Sequence, residues 1–178
     1  MSESIKDHIT IRRASTDDIP VIRALADVTF RDTYKEILSP EQMEYMMDWM
    51  YSEQSLARQM GLDGHVYFIA EKDGSPCAYV SVQPLGLQGD GAYLFELQKI
   101  YILPEMKGRG MGRLLYSFVV EFVKKAASGW PCRLELHVNR HNSAVGFYRR
   151  LGMDILREGD FPIGHGYYMN DFIMGATL

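Results

Sequence analysis

Leu94-Phe95-Glu96-Leu97-Gln98-Lys99-Ile100-Tyr101-Ile102-Leu103 runs as a strand-like stretch that leads into Pro104 and then Lys107-Gly108-Arg109-Gly110-Met111-Gly112, and an amphipathic helical pattern begins at once. Glycines at alternate positions let the backbone turn sharply and approach a ligand with no Cβ in the way. Successive N–H groups and the N-terminus of the new helix then face an anion, and phosphate oxygens are the expected ones. Glycines also occur in ordinary strand-to-helix turns, so the loop alone does not fix the ligand. A nucleoside-triphosphate loop is excluded, because Arg113 and Leu114 follow Gly112 where Lys and then Ser or Thr are required. A dinucleotide fingerprint fails too: counted from Gly108, Arg113 stands where the last glycine belongs, although Glu135 weakly mimics the ribose-binding acid.

A second segment lies downstream: Leu136-His137-Val138-Asn139-Arg140-His141-Asn142-Ser143-Ala144-Val145-Gly146-Phe147-Tyr148-Arg149-Arg150-Leu151-Gly152-Met153. The first segment resembles the acyl-CoA pyrophosphate loop [QR]-x-x-G-x-[GA] of the GCN5-related N-acetyltransferases (GNAT). The second resembles their V-N-x-x-N-x-x-A-x-x-F-Y-x-x-x-G-F region. Ala144 stands two residues after Asn142, a spacing many bacterial members show; Lys107 replaces the usual Gln or Arg, and Met153 the usual Phe. Lys107 can stand beside phosphate as a point charge but lacks the bidentate geometry of arginine. The likeness runs from about Ile9 to Ile173. Phe30-Arg31-Asp32-Thr33-Tyr34 and the ending Asp171-Phe172-Ile173-Met174-Gly175-Ala176-Thr177-Leu178 further resemble the branch containing bacterial spermidine and spermine acetyltransferases.

The resemblance implies a mixed α/β (α+β) fold: a central, mostly antiparallel sheet of about seven strands flanked by helices, splayed between the fourth and fifth strands to admit pantetheine. With 178 residues, the chain is expected to form one N-acetyltransferase domain over 1–178. A net charge of −4 without a Lys/Arg block argues against a nucleic-acid surface and mildly favours cationic partners. Cys77 and Cys132 stand apart, so neither a disulfide framework nor a cysteine metal site is expected, and a reducing cytoplasm fits best. Met1 to Thr10 has no apolar core of signal-peptide length, and no stretch reaches the length of a membrane span.

Periodicity places strands at His8–Arg13, Val66–Glu71, Ala78–Gln83, Tyr93–Ile102, Arg133–Val138, Met153–Arg157 and Tyr167–Met174. Helices are expected after the cap Thr16-Asp17-Asp18, from about Pro40, from Ser52 to Met60, after Gly112 and from Ser143 to Leu151. Met43, Met46, Met47 and Met50 with Tyr45 and Trp49 read as core filler. Asp73-Gly74 reads as a tight hairpin turn.

Acyl transfer to an amine requires a base, because an alkyl ammonium with pKa about 10.4 is neutral in fewer than about one molecule per thousand at pH 7. By the resemblance Glu96 takes this role, directly or through water; its alternative is a strand carboxylate facing solvent. Tyr148 corresponds to the tyrosine near the CoA sulfur and is the expected general acid, since a phenol of pKa about 10 can share a proton with a thiol of about 8.5. Phe147 is the better candidate for simple packing. A backbone N–H around Ile100 to Ile102 would hold the oxyanion.

For acetyl-CoA, the resemblance assigns Ile100, Tyr101 and Ile102 to main-chain pairing with pantetheine. It assigns Lys107, Gly108, Arg109, Gly110, Met111 and Gly112 to the pyrophosphate, with Arg113 adding charge, and Asn142 to a side-chain contact. Asn139 is expected to cap the short helix. His137, His141 and His165 do not have the spacing of a metal set. The acceptor expected is a primary amine, polyamines first, steered by acids among Glu36, Asp160 and Asp171 and by Tyr34 and Trp49. Selectivity is expected in the Phe30-to-Met60 helices and a loop from Asp160 to Tyr168. The alternatives are a protein, peptide or amino-sugar acetyltransferase and a non-catalytic CoA-binding regulator; a homodimer is implied at family level only.

Overall fold

The computed structural model describes residues 5–178. Met1–Ser4, the start of the stretch read above for a signal sequence, lie outside the described residues. In chain order the elements are β1 (Ile9–Arg13), α1 (Ile19–Tyr34), α2 (Pro40–Tyr51), α3 (Glu53–Met60), β2 (Val66–Lys72), β3 (Ser75–Leu87), β4 (Tyr93–Ile102), α4 (Met111–Ala127), β5 (Cys132–Asn139), α5 (Ala144–Arg150), β6 (Asp154–Gly164) and β7 (Tyr167–Thr177). The strands form one seven-stranded sheet in the order β1-β2-β3-β4-β5-β7-β6. It is mixed: β1/β2, β2/β3, β5/β7 and β6/β7 are antiparallel, whereas β4/β5 is parallel. The chain divides into two compact units, Met1–Gln83 with Lys99–Phe118, and Pro84–Gln98 with Val119–Leu178.

In the first unit, the helices begin where hydroxyl side chains satisfy otherwise unpaired N–H groups. Ser39 Oγ accepts from Gln42 N at α2, and Ser52 Oγ accepts from Ser55 N at α3. Ahead of α1 the cap is Ser15, in a reciprocal box with Asp18, one residue before the expected Thr16. Ile19, Ile22, Leu25, Ala26 and Phe30 are all buried, as their helical spacing predicts. Met43, Met46 and Met47 are core residues as well, while Trp49 is 44% exposed. Asp73 and Gly74 both take positive φ, 49° and 82°, and join β2 to β3 as the two-residue turn their dipeptide predicts.

The second unit is built on β5, where Leu134, Leu136 and Val138 are buried and alternate with Arg133, Glu135 and His137. The stretch from Asp160 to Tyr168 is not a loop. It is most of a hairpin, with β6 running to Gly164, β7 starting at Tyr167, and His165 and Gly166 at φ 51° and 76° making the turn. Pro162 and Gly164 argue against a strand interior, yet β6 is the last strand in the sheet order, and the register shifts between those two residues. An edge with a bulge tolerates both. β3 likewise continues past Gln83 to Leu87 through Pro84 and Gly86, beyond its last pair with β2 at Val66↔Val82.

Leu134 is fully buried at the centre of β5. Leu134→Ala is expected to lower unfolding free energy by about 2–5 kcal/mol, read as a lower urea midpoint at unchanged slope.

Candidate active site

Gly108 and Gly110 stand at φ 75° and 82°, in the left-handed region that glycine enters without penalty, and Gly110 O accepts from Leu114 N in the first bond of α4. Gly112, expected to share in the turn, lies instead within α4. Beyond the glycine itself and its two chain neighbours, no heavy atom of the described residues lies within 4 Å of where a Cβ at Gly108 or Gly110 would stand. The glycines therefore keep open the space in front of the helix N-terminus, where unpaired N–H groups carry partial positive charge. Arg109 and Arg113 are exposed beside it. Lys107 Nζ lies 3.4 Å from Asp32 Oδ2 on α1, and Asp32 also accepts from Lys35 Nζ at 3.0 Å. Lys35 first, then Lys107, hold the Asp32 carboxyl below its ordinary pKa.

Ile100, Tyr101 and Ile102 form the end of β4. The Tyr101 hydroxyl meets that of Tyr34 at 3.4 Å, and its ring packs against Phe30 and Tyr79. The residue just before them, Lys99, is buried: its Nζ donates to Gln59 Oε1 at 2.8 Å and lies 5.7 and 5.4 Å from the Tyr51 and Tyr67 ring centres. Tyr67 also donates to Gln59 Oε1, and the Tyr51 and Tyr79 hydroxyls meet at 2.7 Å. Burial, aided by the Lys99 charge, pushes the nearby His65 imidazole down to about 4. This polar interior under the end of β4 escaped the sequence reading, because its members come from α2, α3, β2, β3 and β4.

Register carries the second unit's polar face. The parallel β4/β5 ladder runs from Tyr93↔Cys132 to Glu96↔Glu135 and ends there, while β4 continues to Ile102 and β5 to Asn139. That is the splay between the fourth and fifth strands. Directly paired residues share a face, so Glu96, Glu135 and His137 lie together, and the pair Asn139↔Asp171 adds Asp171 from β7. Glu96 is not directed into solvent: its side chain is 17% exposed, Oε1 lies 3.3 Å from His137 Nε2, and Oε2 accepts from Gln98 Nε2 at 2.9 Å. On the other side of the imidazole, Nδ1 lies 3.7 Å from Oδ2 of the buried Asp171.

Asp171 Oδ2 has no hydrogen-bond partner among the described residues. Asp171 first, with added attraction from Glu96, raises the His137 pKa above its ordinary value against the opposing effects of burial and Arg157. Sequence reading had weighed His137 only as a metal ligand. The signal available was parity, since His137 shares the strand face of Glu135.

Tyr148 is buried on α5, whereas Phe147 is half-buried. The two rings are 5.4 Å apart. Asn139 does not cap α5: its Oδ1 accepts from His141 N, and Asn142 Oδ1 accepts from Ala144 N at the helix start, each at 2.9 Å. Two successive side-chain turns thus shape the loop, because a short amide reaches the N–H two residues ahead more readily than one five ahead. Asp160, expected to steer an acceptor, pairs with Arg140, and Asp171 is committed to His137.

Among the described residues no group of three or more His, Cys, Asp or Glu side chains is placed to hold a metal ion, and no helix is long and apolar enough to cross a membrane. Residues 63–152 match the family described as the acetyltransferase (GNAT) domain. The chain belongs to that family. The acetyltransferase is 26% identical over 173 residues to an N-acetyltransferase encoded in the pepI 3′ region of Lactobacillus delbrueckii subsp. lactis, covering 96% of this chain and 98% of that one. It is 27% identical to the N-acetyltransferase YuaI of Bacillus subtilis, over 87% of this chain and 86% of that one. Among solved structures, the PaiA N-acetyltransferase from Thermoplasma acidophilum in complex with coenzyme A has the same fold, with a TM-score of 0.74, 24% identity and coverage of 96% and 99%.

Because Gly110 has φ 82° and open space at its missing Cβ, Gly110→Ala in the acetyltransferase should cost backbone strain alone, about 1–2 kcal/mol in urea unfolding. A larger loss would mean that the loop is packed, not open.

Proposed function

We propose that this protein transfers the acetyl group of acetyl-CoA directly to a primary amine in a ternary complex, with residues 1–178 acting as a single catalytic domain in a reducing cytoplasm. The observation that carries the reading is the pair of left-handed glycines, Gly108 and Gly110, opening the N-terminus of α4 a short turn after a strand whose parallel pairing stops while the strand runs on. That arrangement suits a substrate with a pyrophosphate at one end and an amide-bearing arm at the other. Lys107, Gly108, Arg109, Gly110, Met111, Gly112 and Arg113 would hold the pyrophosphate through N–H groups and positive charge. Ile100, Tyr101 and Ile102 would pair with pantetheine through the main chain, and the Asn142 amide would add a contact. Cys77 and Cys132, both free and buried, suit the compartment.

In this reading Glu96 takes a proton from the acceptor ammonium, directly or through water. A backbone N–H near Ile100 to Ile102 stabilises the oxyanion, and Tyr148 delivers a proton to the leaving thiolate. The acceptor is a small primary amine, polyamines first, in keeping with the net charge of −4. Of the acids expected to steer it, Glu36 is the exposed one that remains, since Asp160 and Asp171 are engaged within the protein.

Acetyl-CoA without added metal should raise the melting temperature, and Gly110→Val should abolish that shift while remaining folded. Unchanged affinity in folded Gly110→Val protein sinks the loop assignment. Tyr148→Phe should lower turnover about 10²-fold with CoA affinity nearly intact. Assays with spermidine, spermine, amino sugars, amino acids and short peptides decide the acceptor; a polyamine rate no higher than hydrolysis beside clear peptide acetylation would falsify the polyamine reading alone.

A further inference from the structure

We propose that Glu96, His137 and Asp171 form a proton relay, in which the acceptor's first proton passes from Glu96 to His137 and out to water while Asp171 acts as the positioning residue for the imidazole. The relay rests on the acetyl-transfer reading. Its basis is a line of three side chains from three strands, each nitrogen of one imidazole facing a carboxylate: Nε2 is 3.3 Å from Glu96 Oε1 and Nδ1 is 3.7 Å from Asp171 Oδ2.

Exposure gives the line a direction. The Asp171 side chain is 3% exposed, that of Glu96 17% and that of His137 35%, so the imidazole is the member with the widest access to water. A buried carboxylate oxygen without a hydrogen bond is costly unless a cation or donor faces it, and His137 is the group placed to face Asp171 Oδ2. This orients the neutral ring with its N–H on Nδ1 toward Asp171, leaving Nε2 to accept from Glu96. Phe161 on β6 packs against the imidazole with ring centres 5.2 Å apart.

The protons balance. An ammonium R–NH3⁺ gives one proton to the Glu96 carboxylate and becomes R–NH2. The Glu96 carboxyl passes that proton to His137 Nε2, which regenerates the carboxylate and leaves an imidazolium between two carboxylates. The imidazolium releases the proton to water. The second amine proton is lost when the tetrahedral adduct collapses, as the C–S bond breaks and the thiolate is protonated from the Tyr148 side; the relay is not needed for it.

The charged groups facing His137 are Glu96 on β4, Asp171 on β7 and Arg157 on β6, the last 3.2 Å from Glu135 on β5 itself. The two carboxylates facing the ring favour its protonated form, while Arg157 and burial oppose it. The relay is competent only when His137 begins neutral, so activity falls as pH drops through the folded-state pKa of His137. Removing the Asp171 charge lowers that pKa and must move the acid limb to lower pH.

The test combines an NMR pH titration of His137, assigned by its loss in His137→Gln, with pH profiles of kcat/KM for acetylation of the best amine. In Asp171→Asn the His137 pKa and the acid limb should fall together by the same interval. His137→Gln should lose that limb and about 10²-fold in kcat, with KM for acetyl-CoA unchanged. Glu96→Gln should also lower the His137 pKa, which gives a second reading of the line if Asp171→Asn does not fold. Wild-type turnover in His137→Gln, an acid limb that stays in place in Asp171→Asn while the His137 pKa falls, or a His137 pKa indifferent to both carboxylates overturns the relay alone. No turnover by wild-type protein with any amine overturns the acetyl-transfer reading itself.

Discussion

Backbone pairing between β4 and β5 stops at Glu96 and Glu135 while both strands run on. A strand that loses its neighbour has N–H and C=O groups that require other partners. In most sheets such an interruption is a weakness. In this one, the sequence that follows supplies a loop in which Gly108 and Gly110 are held in a conformation that other residues enter only at a cost. The same last pair fixes which side chains share a face, and so brings Glu96 beside His137.

Burial of charge is handled differently in the two units. In the first, Lys99 is enclosed by an amide oxygen and tyrosine rings, a setting that disperses the charge through one strong hydrogen bond and two ring faces. In the second, Asp171 is enclosed against an imidazole whose charge can vary, so that the burial of one group sets the protonation of another.

Local patterns announced themselves in the chain. The alternation of β5, the helical spacing of α1, the Asp73-Gly74 turn and the glycine loop each depend on neighbours within a few residues, and each was legible. The limits were equally physical. Pro162 and Gly164 masked the end of β6, because an edge strand tolerates what a central strand cannot, and edge position is a property of the whole sheet. His137 was passed over because its partners lie on β4 and β7, and cross-strand register is not written in any one segment. The pairing of Lys107 with Asp32 joins residues 75 apart in sequence, and it appears only once the end of β4 and α1 are folded together.

The strand order also bears on the life of the nascent chain. β5 pairs with β4, which is synthesised before it, and with β7, which is synthesised after both α5 and β6. At translation rates of about 5–20 residues per second, one side of β5 stays without its partner strand on the order of seconds. During that interval Leu134, Leu136 and Val138 line a strand that presents an unpaired edge, the kind of surface that recruits strands from other chains. The C-terminal hairpin is therefore the part of the molecule on which escape from aggregation during synthesis depends, and truncations that remove β7 should burden the cell's chaperones more than truncations that shorten the N-terminus before β1.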